Sequence, residues 1–360
     1  MTVRVGVSGC GYFGGWLARI LNDIEGAEVA AVFGGGEAEP LAAELQCRLA
    51  QSMEELVRMP DVDAVIVASP SHLHKEQTML AARHGKHVFC EKPAALSLRD
   101  CEEMIAACRE HNVVLMAGHI YRFMNGVRQA KAWIDAGVIG RPVMAHSERT
   151  GWEDPKPHVS WKKMKTLSGG HLFHHIHEID LLQALLGPAR AVVTAGGKLA
   201  LDGDGFGDED DILLLTLQFD GAVGSMQYGS GFRWGGHYTK INGTEGSILF
   251  DMEKSKVYLK TKEGLSEHLM NDTADEDRER AEFYTRREGA VVYGNSKSND
   301  LDYMTKLMRR EMAAFRDAAA GKPIAPEWKE LFDGTAARSS VATAEAAMTA
   351  LAERRWIAIS

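Results

Sequence analysis

The sequence holds no Cys-x-x-Cys pair and only five cysteines, Cys10, Cys47, Cys90, Cys101 and Cys108. An odd set without close pairs excludes a disulfide framework and a cysteine zinc site, and a reducing cytoplasm is the expected compartment. No apolar run is long enough to span a bilayer, which excludes a transmembrane helix. The first strand candidate begins within a few residues of Met1 and leaves no room for a signal core, so Asn242-Gly243-Thr244 reads as a chance sequon. Positive charge is not in excess either: 41 Lys and Arg against 50 Asp and Glu give a net charge of −9. Nucleic acid and anionic membranes are thereby disfavoured, and small molecules are the expected partners. No internal repeat is present.

What is there is an ordinary globular composition, 45% hydrophobic and 25% charged over 360 residues. That length exceeds what one core usually fills, so two domains are expected, one over 1–121 and one over 122–360, whose last helices can pack back on the first. In the first part, apolar runs at Val3 to Val7, Val29 to Phe33, Ala64 to Ala68, His87 to Cys90 and Val113 to Ala117 alternate with helical patterns around 40–48, 52–59, 75–84 and 97–110. Strand and helix in alternation predict a doubly wound parallel sheet, an α/β Rossmann domain. After about Tyr121 a helical stretch near 125–136 gives way to strand candidates at 142–150, 190–200, 211–219, 222–231, 237–242, 246–251 and 255–261. This part predicts an α+β domain with a large antiparallel sheet. The segment from Asp272 to Asn299 is charge-rich and weakly patterned, and helices are expected over 300–320 and 335–352.

Gly9-x-Gly11-x-x-Gly14 stands between the first strand and a helix carrying Trp16, Leu17, Ile20 and Leu21. Glycine there permits a tight turn and lets a pyrophosphate approach the helix N-terminus, so the turn, with Tyr12 and Phe13 inside it, predicts a dinucleotide site. The acidic residue that commonly ends the second strand is missing, because Phe33 runs into Gly34-Gly35-Gly36. NAD and NADP therefore both stay open. Glu91-Lys92-Pro93 follows the strand ending at Cys90, which places Lys92 at a strand's carboxyl end, where ligands bind in such sheets. A lysine there can stabilise a developing alkoxide; an exposed surface lysine is the bland alternative.

The run from His171 to Asp180 holds His171, His174, His175 and His177. On one helix, 171, 174, 175 and 178 share a face. Zinc is one reading of such a face, but a polar pocket without metal is preferred, and no metal is expected. Trp152 and Trp161 flank the stretch before it and suit either packing or the C–H face of a sugar.

The glycine turn, Ser69-Pro70-Ser71-His72-Leu73-His74, and Gly85-Lys86-His87-Val88 leading into Glu91-Lys92-Pro93 resemble the glucose-fructose oxidoreductase, inositol dehydrogenase and rhizopine-catabolism (Gfo/Idh/MocA) family. Gly118-His119-x-Tyr121-Arg122-Phe123, Ile139-Gly140-Arg141-Pro142-Val143, His177-Glu178-Ile179-Asp180 and Gly243-Thr244-Glu245-Gly246-Ser247 extend the resemblance over nearly the whole chain. It implies an open-faced sheet in the second domain, a homodimer or homotetramer, and hydride transfer between NAD(P) and a carbinol carbon of a sugar-like, sugar-acid or cyclitol-like substrate. Lys92 then orients substrate and His177 serves as general acid or base. Ser69, Pro70, His72, His74, Glu91 and Lys92 itself join the cofactor contacts, while Tyr121, Arg122 and Trp161 join the substrate contacts beside Trp152. Two rivals keep the fold: a glycosidase-like or epimerase-like enzyme in which the hydride step is transient and the cofactor returns unchanged, and a dinucleotide-sensing regulator without chemistry.

One departure stands out. The family commonly has an aspartate four residues before the catalytic histidine, and here that position is Phe173; shifting the alignment gives His175. Neither is a carboxylate, so another group must tune the histidine. Phe173 and the neighbouring His174 are expected to set substrate specificity.

Overall fold

A computed structural model describes residues 2–285 and 302–360. The later part of the charge-rich segment, 286–299, and the first residues of the helix expected from 300 lie outside the described residues. The chain divides into two compact units, one containing the residues up to Ile120 and Met304–Val341, the other containing Tyr121 to Thr285 and Ala342–Ser360.

In the first unit, β1 (Val3–Ser8), β2 (Ala27–Phe33), β3 (Arg48–Leu49), β4 (Ala64–Val67), β5 (His87–Glu91) and β6 (Leu115–Gly118) form one sheet in the order β3-β2-β1-β4-β5-β6. Every pairing is parallel. All four residues of β4 are buried, as expected of a strand covered on both faces by helices. Helices start where side chains supply acceptors: Ser52 accepts from the Glu55 N–H and Ser97 from the Asp100 N–H. The order reverses between β1 and β4, so the turn after β1, the loop after β4 and the turn after β5 all lie at carboxyl ends of the central strands.

In the second unit nine strands of the described residues form one sheet, including β7 (Pro142–Thr150), β8 (Ala191–Gly197), β9 (Ile212–Phe219), β10 (Ala222–Gly229), β11 (His237–Gly243), β12 (Ser247–Asp251) and β13 (Lys256–Thr261). The short strands β14 (Gly264–Leu269) and β15 (Ile357–Ala358) close its two edges and were not expected from the alternation. The sheet is mixed: β10 runs parallel to β7, from Val223 beside Met144 to Gly229 beside Thr150, while the other pairs are antiparallel. Along β9, Leu213, Leu215, Leu217 and Phe219 are buried, whereas Leu214 on the opposite face is 45% exposed. Val223 of β10 is likewise 47% exposed.

Two local expectations are corrected. Residues Ala274–Thr285 form a helix, although their charge gave a weak pattern. Asp275, Glu276 and Asp277 fill its first turn, where carboxylates favour the helix dipole, and buried Asp277 accepts from the N–H groups of Met270 and Asn271. The histidine run is not one helix. A turn at His171–His174 follows Gly169 and Gly170, both at positive φ, and a separate helix begins at His177 after His175 leaves helical geometry at φ −109 and ψ 42. The single face shared by 171, 174, 175 and 178 therefore does not exist as such.

Candidate functional site

The candidate nucleotide site of the first unit is built from missing side chains. Gly9 has φ +95 and lies against the Ala68–Ser69 backbone. A Cβ at Gly14 would stand 1.9 Å from the Gly9 carbonyl oxygen, so only glycine lets the helix Tyr12–Asn22 approach the end of β1. A Cβ at Gly11 would meet nothing within 4 Å. Gly11 caps that helix without any side-chain bond, and its first turn holds no acidic residue. An uncapped helix start with open space before it is the cradle a pyrophosphate requires, so the residues present fit a dinucleotide. Tyr12 and Phe13 are half-buried in this turn, their rings meeting edge to face at 5.1 Å.

The loops after β4 and β5 are tied together by His74. Its ring nitrogens lie 2.8 Å from the carbonyl oxygens of Ser69 and Pro93. Burial pushes the imidazole's pKa down, favouring the neutral ring, which donates to one of the two carbonyls at a time. His74 thus positions the loops that carry Ser69 and Lys92 and presents no ring nitrogen outward. The Ser69 hydroxyl donates to Gln77, Pro70 starts a short 3₁₀ turn, and His72 is exposed. The Lys92 N–H donates to the Glu91 carboxylate at 3.1 Å, and both side chains are half-buried.

The second unit contains a cavity of about 560 Å³. Its wall carries Arg149, Lys162, Lys163, His171, His174 and His175, with Trp152 as an aromatic face. Among the described residues that line it, Glu153 alone is acidic, against Arg149, Lys156, Lys162 and Lys163, of which Arg149 is paired with Glu178 and Lys163 with Glu153 and Glu209. Arg149 arrives there because β7 alternates: Ala145, Ser147 and Arg149 share the buried parity.

Behind Arg149 lies a buried network centred on Glu178, which is fully shut off from solvent. Its carboxylate accepts from Arg149 at 3.1 Å, from the Tyr228 hydroxyl at 2.5 Å, from His237 Nε2 at 2.9 Å and from the Tyr121 hydroxyl at 3.3 Å. Burial alone would raise the Glu178 carboxyl, but Arg149 and then His237 outweigh it and hold the group well below the usual carboxylate range. Burial pushes His237 down to about 4, so its ring is neutral near pH 7. The neutral ring donates from Nε2 to Glu178 and accepts at Nδ1 from the Tyr284 hydroxyl at 3.1 Å.

The other expected substrate residues of this unit fall into separate places. Trp152 and His174 line the cavity, and the Trp161 ring meets His174 edge to face at 6.5 Å. Tyr121 stacks on His177 at 4.7 Å. Arg122 is held by Asp180 through bonds of 2.7 to 3.1 Å, both side chains being buried. Phe173 is 3% exposed and packs over Gly169, whose Cβ would stand 2.6 Å from the ring. The carboxylates near the histidines come from Glu178 and from Glu209, whose Oε2 lies 3.9 Å from His171 Nδ1. Arg149, Lys163, Glu178, Glu209 and His237 were not singled out from the sequence as site residues. A charged residue on the buried parity of β7 was the one signal that could have found Arg149. Among the described residues, no group of three or more His, Cys, Asp or Glu side chains gathers as a metal-ligand set, and no helix is long and apolar enough to cross a membrane.

Comparison with known proteins gives matches over both parts of the chain. Residues 3–119 match an oxidoreductase family's NAD-binding Rossmann fold, and residues 131–359 match the C-terminal alpha/beta domain of the same family. A 2,7-anhydro-N-acetylneuraminate hydratase of Mediterraneibacter gnavus is 43% identical over 364 residues, covering 100% of this chain and 97% of that protein. A protein of the same description from Escherichia coli K12 is 42% identical, covering 99% and 97%. The solved structure of a levoglucosan dehydrogenase in complex with NADH and levoglucosan has a TM-score of 0.77 at 24% identity, with 100% of both chains covered, a likeness of fold.

Proposed function

Because this chain belongs to the Gfo/Idh/MocA oxidoreductase family and its N-terminal part is an NAD-binding Rossmann domain, we propose that it oxidises a CH–OH group of an acidic anhydro-sugar transiently and completes a net hydration. The observation that carries this reading is the full-length likeness to two hydratases named for 2,7-anhydro-N-acetylneuraminate, a sugar acid with an internal ether bridge. The cavity supports it independently, since Lys156 and Lys162 on its wall are suited to a substrate carboxylate and Trp152 to a sugar face. Hydration is neutral in redox, so an NAD-binding fold is reconciled with it if the oxidation is undone within each turnover.

When bound, NAD would supply a hydride acceptor that also returns the hydride to the same carbon. Gly9, Gly11 and Gly14 would hold its pyrophosphate, with Tyr12, Phe13, Ser69, Pro70, His72 and Glu91 around the rest. Lys92 Nζ is assigned to the reacting oxygen, where a cation steadies the developing alkoxide, and His177 to the hydroxyl proton. Tyr121 would fix the His177 ring by stacking on it, and Arg122 would support the helix start through Asp180. A carbonyl next to a C–H makes that hydrogen acidic, so a second base of the chain must take it and an acid must protonate the departing bridge oxygen. His174 and Trp161, on the cavity side, would position the sugar, and Phe173 would shape the wall behind them.

The test is incubation of the protein with NAD and 2,7-anhydro-N-acetylneuraminate in D₂O. Free N-acetylneuraminate carrying one deuterium on a ring carbon, without net gain of NADH absorbance, is the expected result. Stoichiometric NADH would make it a simple dehydrogenase, and absence of any product would overturn the substrate class. The proposal includes a homodimer or homotetramer closed over the sheet face that exposes Leu214 and Val223, and sedimentation of monomer alone at micromolar concentration would remove it. It also includes a cytoplasmic location, supported by five free cysteines.

A further inference from the structure

Net hydration of an ether-bridged sugar needs proton transfers at two places: at the hydroxyl that is oxidised, and at the carbon next to the bridged one together with the departing bridge oxygen. Lys92 and His177 account for the first. The wall of the cavity in the second unit offers a group for the second.

His171 lines that cavity, is 6% exposed, and has its Nδ1 sealed from solvent. The Glu209 carboxylate stands 3.9 Å from this nitrogen, too far for a direct hydrogen bond and close enough for a strong electrostatic bias. Glu209 is itself 6% exposed and fixed from the other side by Lys163 Nζ at 3.1 Å, and Lys163 is in turn held by Glu153 at 2.6 Å. Burial would raise the Glu209 carboxyl, yet His171 and Lys163 beside it hold it below the usual carboxylate range. A buried anion behind one ring nitrogen favours the tautomer that carries its proton there and leaves the opposite nitrogen basic.

We propose that His171 is a second proton-transfer residue of this site, with Nε2 turned to the substrate, and that Glu209 is the positioning residue that keeps its proton on Nδ1. This rests on the reading of a transient oxidation followed by hydration. His171 Nε2 takes the hydrogen from the carbon between the transient carbonyl and the bridged carbon. The electron pair forms a double bond there as the bridge C–O bond breaks, and the proton passes to the bridge oxygen, which leaves as a hydroxyl. Water then adds to the bridged carbon, and its second proton goes to the neighbouring carbon through the same ring. Atoms balance with one water consumed and no oxidant used. The charged and titratable groups around His171 are Glu209, Lys163 and Glu153 beyond it, Arg149 in the lining of the same cavity, His175 at 4.6 Å and Tyr228 at 6.0 Å between ring centroids.

Two measurements test this. In the first, wild type and His171→Asn are mixed rapidly with NAD and 2,7-anhydro-N-acetylneuraminate, following enzyme-bound NADH absorbance and deuterium uptake from D₂O. The expected variant keeps the absorbance burst and loses deuterium uptake and product by at least about a hundredfold. Loss of the burst would place His171 in the hydride step, and turnover close to wild type would remove it from the chemistry; either overturns the proposal. A wild-type protein that forms no product overturns the hydration reading itself, a different failure. The second measurement needs no substrate or cofactor: ¹⁵N spectra of the histidine rings, with His171 assigned by its Asn variant. Wild type is expected to show the Nδ1–H tautomer of His171, Glu209→Gln to shift it toward Nε2–H, and Glu209→Asp to restore it in part. Lys163 keeps Glu153 in all three proteins, so the fold is expected to survive. The same tautomer in wild type and Glu209→Gln would overturn the role of Glu209.

Discussion

The two units prepare for their ligands by opposite means. The first removes side chains: Gly9 and Gly14 let the backbone of strand, loop and helix close on one another, and Gly11 leaves open space at the helix start. The second crowds charge and hydrogen bonds: Arg149, His237, Tyr228 and Tyr121 converge on the sealed Glu178 carboxylate. A site made of absences depends on local backbone geometry and is encoded in a few consecutive residues. A site made of buried charge depends on every partner being present, and it fails when one is withdrawn.

The largest effect is therefore expected at Glu178. Glu178→Ala leaves Arg149 buried without its anion and removes the acceptor shared by Tyr228, Tyr121 and His237. Breaking a buried ion pair from one side costs about 3–5 kcal/mol, so the melting temperature should fall steeply. A thermal scan within a degree of wild type would mean that solvent or another carboxylate replaces Glu178, and the network would lose its importance. Acid should act in the same direction. His237 has its folded pKa depressed below the value near 6.5 of a free histidine, to about 4. The unfolded chain then binds the proton first, and stability is lost as pH falls from about 6.5 through 4.

This difference also explains what could be read from the residues alone. The glycine turn, the Ser69 loop and the Glu91-Lys92-Pro93 turn are short, contiguous patterns, and the strands that end in them are short and mostly buried. The mixed sheet was less legible, because nothing in the alternation of β10 states that it pairs parallel with β7. The network was hardest to read. Arg149, Tyr228 and His237 stand 29, 50 and 59 residues from Glu178 along the chain, so no window of sequence contains them together. The histidine run misled for a related reason: Gly169 and Gly170 at positive φ, and the break at His175, replaced the single helix that its spacing suggested.

A pair of smaller effects sharpens the contrast on the glycine side. Gly14→Ala places a methyl group 1.9 Å from the Gly9 oxygen and 3.2 Å from the Ala68 Cβ, so helix and strand must separate. A loss of about 1–3 kcal/mol in stability is expected, together with NAD affinity weakened by about a hundredfold. Gly11→Ala should separate these two consequences. Its methyl meets no protein atom within 4 Å, and its backbone at φ −77 and ψ −160 suits alanine. Stability should hold while NAD binding weakens, as read by calorimetric titration. Unchanged NAD affinity in Gly11→Ala would show that the open space before the helix is not where the cofactor lies.

The smallest expected effect has the opposite sign and tests whether buried charge in the first unit follows the rule of the second. Glu311, on the helix Asp302–Ala319, is 1% exposed, and its Oε1 is sealed without a hydrogen-bond partner. Among the described residues it has no cationic partner of the kind that Glu178 has in Arg149. Burial, with the Glu91 charge adding to it, pushes the Glu311 carboxyl well above the usual range. The folded protein thus retains a proton that the unfolded chain releases above about pH 4.5. By linkage the stabilising contribution of this group is complete below that pH and is lost as pH rises towards the folded value. Glu311→Gln keeps the shape and removes the titration. It should differ little from wild type near pH 4.5 and become progressively more stable than wild type as pH rises towards 8, so the gap in melting temperature should widen with pH. A constant gap across that range would mean that Glu311 is ionised in the folded protein. A counter-charge would then have to reach it, and the contrast between the two sealed glutamates would collapse.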